Sequence, residues 1–216
     1  MSLATGRAAA VLLNVQLRTA PRLKATLLAT AAISAVTAVS PAHAETCDSG
    51  TQVVDGAGGG TLPNPWQPNN GINVGVDASC ELIVRNGGEV RPTINTGTTY
   101  IGRNHGSTGV ITVTGEGSSF VLPGTGGIGA QPGIVVGYRG SGEMTIADGA
   151  HAESFYGYLG YYEGALGTVT VTGAGSRWDT RNLTVGGVAA GATNSGGEGL
   201  MTISDGAVVT TNGWTY

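Results

Sequence analysis

The sequence predicts an all-β architecture, a parallel β-helix of about five stacked coils over residues 72–216. Three features carry that expectation. Glycine makes up 39 of 216 residues, and with proline 47. Val, Ile and Thr nevertheless alternate in short runs, which separates the chain from a disordered Gly/Pro-rich polymer. A unit of about 30 residues recurs, inside the range of periods that marks solenoids. No window beyond the N-terminal segment sustains a helical period.

Residues 1–44 read as a signal peptide. Arg18, Arg22 and Lys24 supply a positive segment, and Ala25 to Val39 an apolar one of about 15 residues. That is short for a membrane-spanning helix, which needs about 20. Pro41 breaks the apolar run, and Ala42-His43-Ala44 is a small-residue cleavage site, so cleavage is expected after Ala44. The remaining residues hold six arginines, no lysine and all fourteen acids, a net charge of −8. Such a surface lacks a basic patch to neutralise phosphates, so no nucleic-acid partner is expected.

Cys47 and Cys80 are the only cysteines. In an oxidising compartment they are expected to form one disulfide. Residues 45–71 read as an irregular N-terminal cap. Gly56 and Gly58 to Gly60 cluster there, and Pro63, Pro65 and Pro68 flank Trp66. A stacked β structure has to cover its first edge, and prolines around one large aromatic cover it without offering a pairing strand.

The repeats align on a glycine that follows a short apolar strand: Gly75, Gly102, Gly137, Gly160 and Gly186. A second strand follows each, ending at Val84, Val113, Ile146, Val171 and Ile203, in steps of 29, 33, 25 and 32 residues. A turn comes next, alternating between an Asn/Asp-Gly form (Asn86, Asp148, Asp205) and a Gly-x-Gly-Ser form (Gly115 to Ser118, Gly173 to Ser176), so a pair of repeats is a candidate unit. A third short strand closes each coil, giving three strands per coil and a triangular section. In Thr168 to Thr172, period 2 puts both valines on one face and three threonines on the other. The valines are expected to line the bore, stacked on Ile111 and Val113 below and Met201 and Ile203 above. The threonines are expected to form outward ladders. Pro123 to Pro132 and Gly187 to Glu198 are insertions, read as flexible spacing at the corners.

The runs Ile101-Gly102 … Ile111-Thr112-Val113-Thr114-Gly115-Glu116-Gly117-Ser118 and Leu159-Gly160 … Val169-Thr170-Val171-Thr172-Gly173-Ala174-Gly175-Ser176, with the Asp148-Gly149-Ala150 and Asp205-Gly206-Ala207 turns, resemble the passenger repeats of bacterial autotransporters. The resemblance covers residues 72–216. It implies a right-handed parallel β-helix displayed at the outer membrane or cell surface, or released, and acting as an adhesin or presentation scaffold. The implied partners are host or neighbouring-cell surface proteins or glycans. The family's C-terminal translocator barrel is expected downstream and is absent from this sequence, which ends at Tyr216 just after a third strand; the repeat domain is therefore read as truncated.

No enzyme activity, cofactor or metal is expected. His105 and His151 occupy different repeat positions without a neighbouring nucleophile. Gly124 to Gly129 spells G-x-G-x-x-G, but a proline and a strand follow where a dinucleotide site needs a helix. Glu81, Glu143 and Glu198 precede second strands and read as an outward charged stripe. The run Phe155, Tyr156, Tyr158, Tyr161 and Tyr162 is the candidate contact patch, with alternation sending some rings inward and some outward. Two rivals to the adhesin reading stay open: a β-helix lyase or glycosidase, which would need clustered acids in a cleft, and a ligand-free matrix repeat.

Overall fold

The computed structural model describes residues 46–93, 97–122, 124, 133–187 and 196–216. The signal peptide, its cleavage point, the G-x-G-x-x-G run beyond Gly124 and most of both insertions lie outside these residues. Among the described residues fifteen strands follow one another: β1 (Thr46–Cys47), β2 (Gly50–Asp55), β3 (Asn73–Val74), β4 (Ser79–Arg85), β5 (Glu89–Val90), β6 (Thr99–Ile101), β7 (Thr108–Thr114), β8 (Ser119–Val121), β9 (Gly133–Val136), β10 (Ser141–Ala147), β11 (His151–Leu159), β12 (Leu166–Thr172), β13 (Arg177–Val185), β14 (Glu198–Ser204) and β15 (Val208–Thr211).

Every pairing between them is parallel, and all lie in two sheets. The second strands form a six-stranded sheet in the order β2-β4-β7-β10-β12-β14. The first and third strands together form the other, nine-stranded sheet. The fold is thus an all-β parallel solenoid of about five turns from Ile72 onward. The segment read as irregular is more ordered than its composition suggests. Its β1 pairs with β3, its β2 with β4, and Trp66 bridges Val90. It covers the first edge by adding a layer of strand.

Three strands per coil persist where an insertion separates the third strand from the next first strand. Where none intervenes, the two fuse. β11 and β13 are each nine residues long. The first half of β11 pairs with β8 and the second half with β9. There the third strand of one coil and the first strand of the next are one continuous strand. The junction shows in the burial pattern: Phe155 and Tyr156, and in the next coil Arg181 and Asn182, are consecutive non-buried residues. Period 2 slips by one at that point, which bends the strand and re-aims its side chains.

The bore is filled by columns of equivalent residues. One runs Val54, Val84, Val113, Ile146, Val171, each with no solvent exposure. Another runs Leu82, Ile111, Met144, Val169. Met144 and Ile146 stand between the valines of β12 and Ile111 and Val113, a layer that the expected stacking skipped. Outward, Thr112, Thr145, Thr170 and Thr202 form the expected ladder. The glutamate stripe is corrected by the register: Glu81 and Glu143 share a column with Val110, whereas Glu198 pairs with Leu166, two positions earlier.

At one edge the two sheets meet backbone to backbone. The position of Cys80 is taken by Gly109, Gly142, Gly167 and Gly199 in successive coils. A Cβ on Gly142 would run into the Gly137 nitrogen and the Ile101 carbonyl oxygen. Facing them, the five aligned glycines from Gly75 to Gly186 all have φ between 67° and 72°. Close backbone contact excludes a side chain in the first column, and the left-handed φ disfavours one in the second. At the N-terminal end the same edge is closed by the disulfide between Cys47 and Cys80, with Cα atoms 5.8 Å apart, a usual separation for such a bridge.

The two turn forms are stitched to each other. In the Asn/Asp-Gly form, Asn86, Asp148 and Asp205 take φ of 54° to 56°. Ser118 Oγ accepts from the Gly87 N–H at 3.0 Å, and Ser176 Oγ from the Gly149 N–H at 2.9 Å. In the other direction, Thr114 Oγ1 donates to Asp148 and Thr172 Oγ1 to Asp205, both at 2.7 Å. Each Gly-x-Gly-Ser coil so accepts from the coil below and donates to the coil above.

Candidate binding face

The five aromatics singled out in the sequence do come together, though not as alternation suggested. None points into the bore; Gly157 and Leu159 take the buried positions. Phe155, Tyr156 and Tyr158 project from β11, the first two at the slip between its halves. Tyr161 and Tyr162 stand on the corner after Gly160, where the Tyr161 and Tyr162 N–H groups donate to the Gly137 and Tyr138 carbonyls at 2.8 and 3.1 Å.

Two further rings join them. Tyr138 follows Gly137 as Tyr161 follows Gly160, one coil away. Tyr100 lies in the column of Val135 and Tyr158. Ring centroids are 4.7 Å apart for Tyr100–Tyr138, 5.4 Å for Tyr138–Tyr161, 5.1 Å for Tyr158–Tyr161 and 5.7 Å for Tyr156–Tyr158. Phe155 touches Tyr156 and Tyr162 touches both Tyr138 and Tyr161, each at 4.9 Å. Six of the seven tyrosines and one phenylalanine thus form one continuous surface over three coils. Mostly edge-on contacts at these distances are the favoured aromatic geometry. The sequence carried a signal for the two missed rings, the recurrence of Tyr beside the aligned glycine, but the insertion after Leu122 hid it.

Arginines border this surface. The Arg103 guanidinium lies 5.2 Å from the Tyr100 centroid, Arg139 4.9 Å from Tyr162, and Arg181 5.1 Å from Phe155. Burial pushes the Tyr138 and Tyr158 hydroxyls up to about 12, with a hydrogen bond to Tyr162 adding to the shift at Tyr138. Tyr162 is lowered, first by accepting the Tyr138 hydroxyl hydrogen bond and then by Arg139. Of the pair, Tyr162 ionises first in base.

A separate, more charged cleft of about 460 Å³ lies beyond Phe155, lined by Glu153, Arg177, Asp179, Arg181 and Thr210 among others. His151 has its Nε2 3.0 Å from Asp179 Oδ2. Arg177 pairs with the same carboxylate oxygen. The two acids, Glu153 and Asp179, are direct register partners on β11 and β13. His105 is exposed in a turn. Among the described residues no three His, Cys, Asp or Glu side chains gather to hold a metal ion.

Comparison with family models, with curated proteins and with solved structures returns no match. The class follows from the parallel stacking of successive coils: this chain is a parallel β-solenoid repeat protein.

Proposed function

We propose that this chain is a non-enzymatic adhesion or presentation module, the passenger region of an autotransporter-like surface protein, and that the tyrosine surface is its contact face. The observation that supports this reading is the continuity of seven aromatic rings over three coils. Tyrosine offers large, stiff contact area with a polar tip, the character of side chains that dominate recognition surfaces. Export follows from the leader at residues 1–44, and on that reading the mature protein begins at Glu45. Mass spectrometry of the secreted protein checks this; a start elsewhere contradicts it.

The test of adhesion is a Tyr161→Ala/Tyr162→Ala double variant. Both side chains are partly exposed, so the solenoid should keep its thermal unfolding midpoint while attachment to cells or to an arrayed glycan panel falls at least tenfold. Attachment unchanged in a folded variant removes the proposal.

The cleft with Glu153 and Asp179 supports a second reading, a polysaccharide-acting β-helix enzyme, because glycoside cleavage uses paired carboxylates. Asp179 is already engaged by His151 and Arg177, which favours a structural role for it. Release of reducing ends or unsaturated products from common polysaccharides, abolished by Glu153→Gln, would establish the enzyme instead.

A further inference from the structure

The arginines of the described residues fall into two groups. Arg85, Arg91 and Arg177 are paired with carboxylates. Arg103, Arg139 and Arg181 have no carboxylate at salt-bridge distance among the described residues; each lies over an aromatic ring. After residue 44 acids outnumber bases by fourteen to six. Guanidiniums left to rings in such a chain are not what charge balance alone would arrange.

Of the three, Arg103 lines a concave part of the surface, and Arg139 lies over Tyr138 and Tyr162 beside it. Clefts of about 290 and 150 Å³ meet at Thr98 and Tyr100. The larger is lined by Arg103, Asn70, Asn73 and backbone around Gly71 and Gly97; the smaller by tyrosines over Val135. Among the described residues no acid lines either one, in contrast to the cleft beyond Phe155. Arg103 donates one bond to Asn73 Oδ1 at 3.0 Å. A guanidinium carries five N–H donors in a planar fork, so most of its donors remain for a ligand. Stacking on a ring holds that fork in place without neutralising it.

A planar cation, amide side chains and an aromatic wall are complementary to a sugar that bears an anionic group. The pyranose C–H face packs on tyrosine, hydroxyls meet the amides, and a carboxylate or sulfate takes the guanidinium fork. We propose that the surface around Tyr100 binds a linear acidic glycan, with its anionic groups on Arg103 and Arg139 and its pyranose faces on the tyrosines between them. This deepens the adhesive reading of the same face and rests on it. Uronate carboxylates and sulfate esters share the required chemistry, and the experiment separates them.

Binding of the full secreted chain to polygalacturonate, dextran sulfate, neutral dextran and single-stranded DNA is measured at low and high salt. The expected result is that one of the two acidic polymers binds at least tenfold tighter than neutral dextran and than DNA, and that added salt weakens it. Arg103→Gln/Arg139→Gln should lower that affinity at least tenfold, and Arg103→Lys should retain part of it. Arg91→Gln, which removes a charge from the same protein away from the face, should leave it unchanged. Circular dichroism melts establish that the variants fold; Arg139 is exposed, so Arg139→Gln alone serves if the double variant does not. Failure of both acidic polymers to bind, equal binding of DNA, or unchanged affinity in the folded glutamine variants overturns the proposal. Tyr161/Tyr162-dependent attachment to cells combined with no acidic-polymer binding would overturn it while leaving the adhesive reading intact.

Discussion

Trp178 is fully buried, and its indole ring lies where any side chain at Gly157 would stand. Its Nε1 donates to Ser154 Oγ at 3.2 Å, so the one polar atom of the ring is satisfied. In its column the neighbour below is Ala152, which leaves room for the ring. Trp178→Ala should cost about 3–5 kcal/mol, read as a shift in urea midpoint. Gly157→Ala should also destabilise, and the double variant should lose less than the two singles combined, because the void left by Trp178 receives the new methyl. Asp55 makes a different point about single residues. Its carboxyl accepts from Asn86, from the Ala57 N–H and from Arg85, which hold its pKa below the ordinary 3.8. A lowered carboxylate pKa adds stability that is complete above the unfolded value and is lost as pH falls through the folded one. Wild-type stability should therefore decline on acidification below about pH 4, and Asp55→Asn should flatten part of that decline.

At the level of strands and turns, much was legible in the residues themselves. The second strands were readable because Val, Ile and Met alternate with Thr, and the register places those apolar residues inward as period 2 requires. The turns were readable because φ near +54° or above is open to Gly, Asn and Asp and to few others. What stayed hidden depends on register between distant residues. Tyr100 meets Tyr138, and His151 meets Asp179, only because an insertion or a whole coil separates them along the chain and none in space. The slip inside β11 was hidden too, since Phe155-Tyr156 reads as plain alternation until the two sheet halves are seen. The segment 45–71 reads as irregular because two-residue and six-residue strands broken by glycines have too few alternations to register. The stitched turns give a direct test: Ser176→Ala removes the acceptor for the Gly149 N–H and should cost about 1 kcal/mol in chemical denaturation.

Taken as a molecule, the solenoid from Thr46 to Tyr216 is held laterally by its bore and longitudinally by its ladders, with one covalent closure. The Cys47–Cys80 bridge closes a separation of 33 residues and joins opposite sheets, with Cys80 at the position that later coils give to glycine. Chain-entropy reasoning assigns such a loop about 3–4 kcal/mol. Reduction should lower the unfolding free energy by about that amount and loosen the N-terminal layer first, seen as faster amide exchange in β1 and β2. Ile203 is 49% exposed, whereas its column mates Val171 and Ile146 are fully buried. The alternation of turns carries a rule about how this protein can change length. Joining two Asp-Gly coils would bring two carboxylates together and leave a glycine N–H without its serine; joining two Gly-x-Gly-Ser coils would leave threonine donors without an aspartate. Coils can be removed or duplicated cleanly only in even numbers. The array counts in twos, and a recombination event that shifts it by one writes its own defect at the splice.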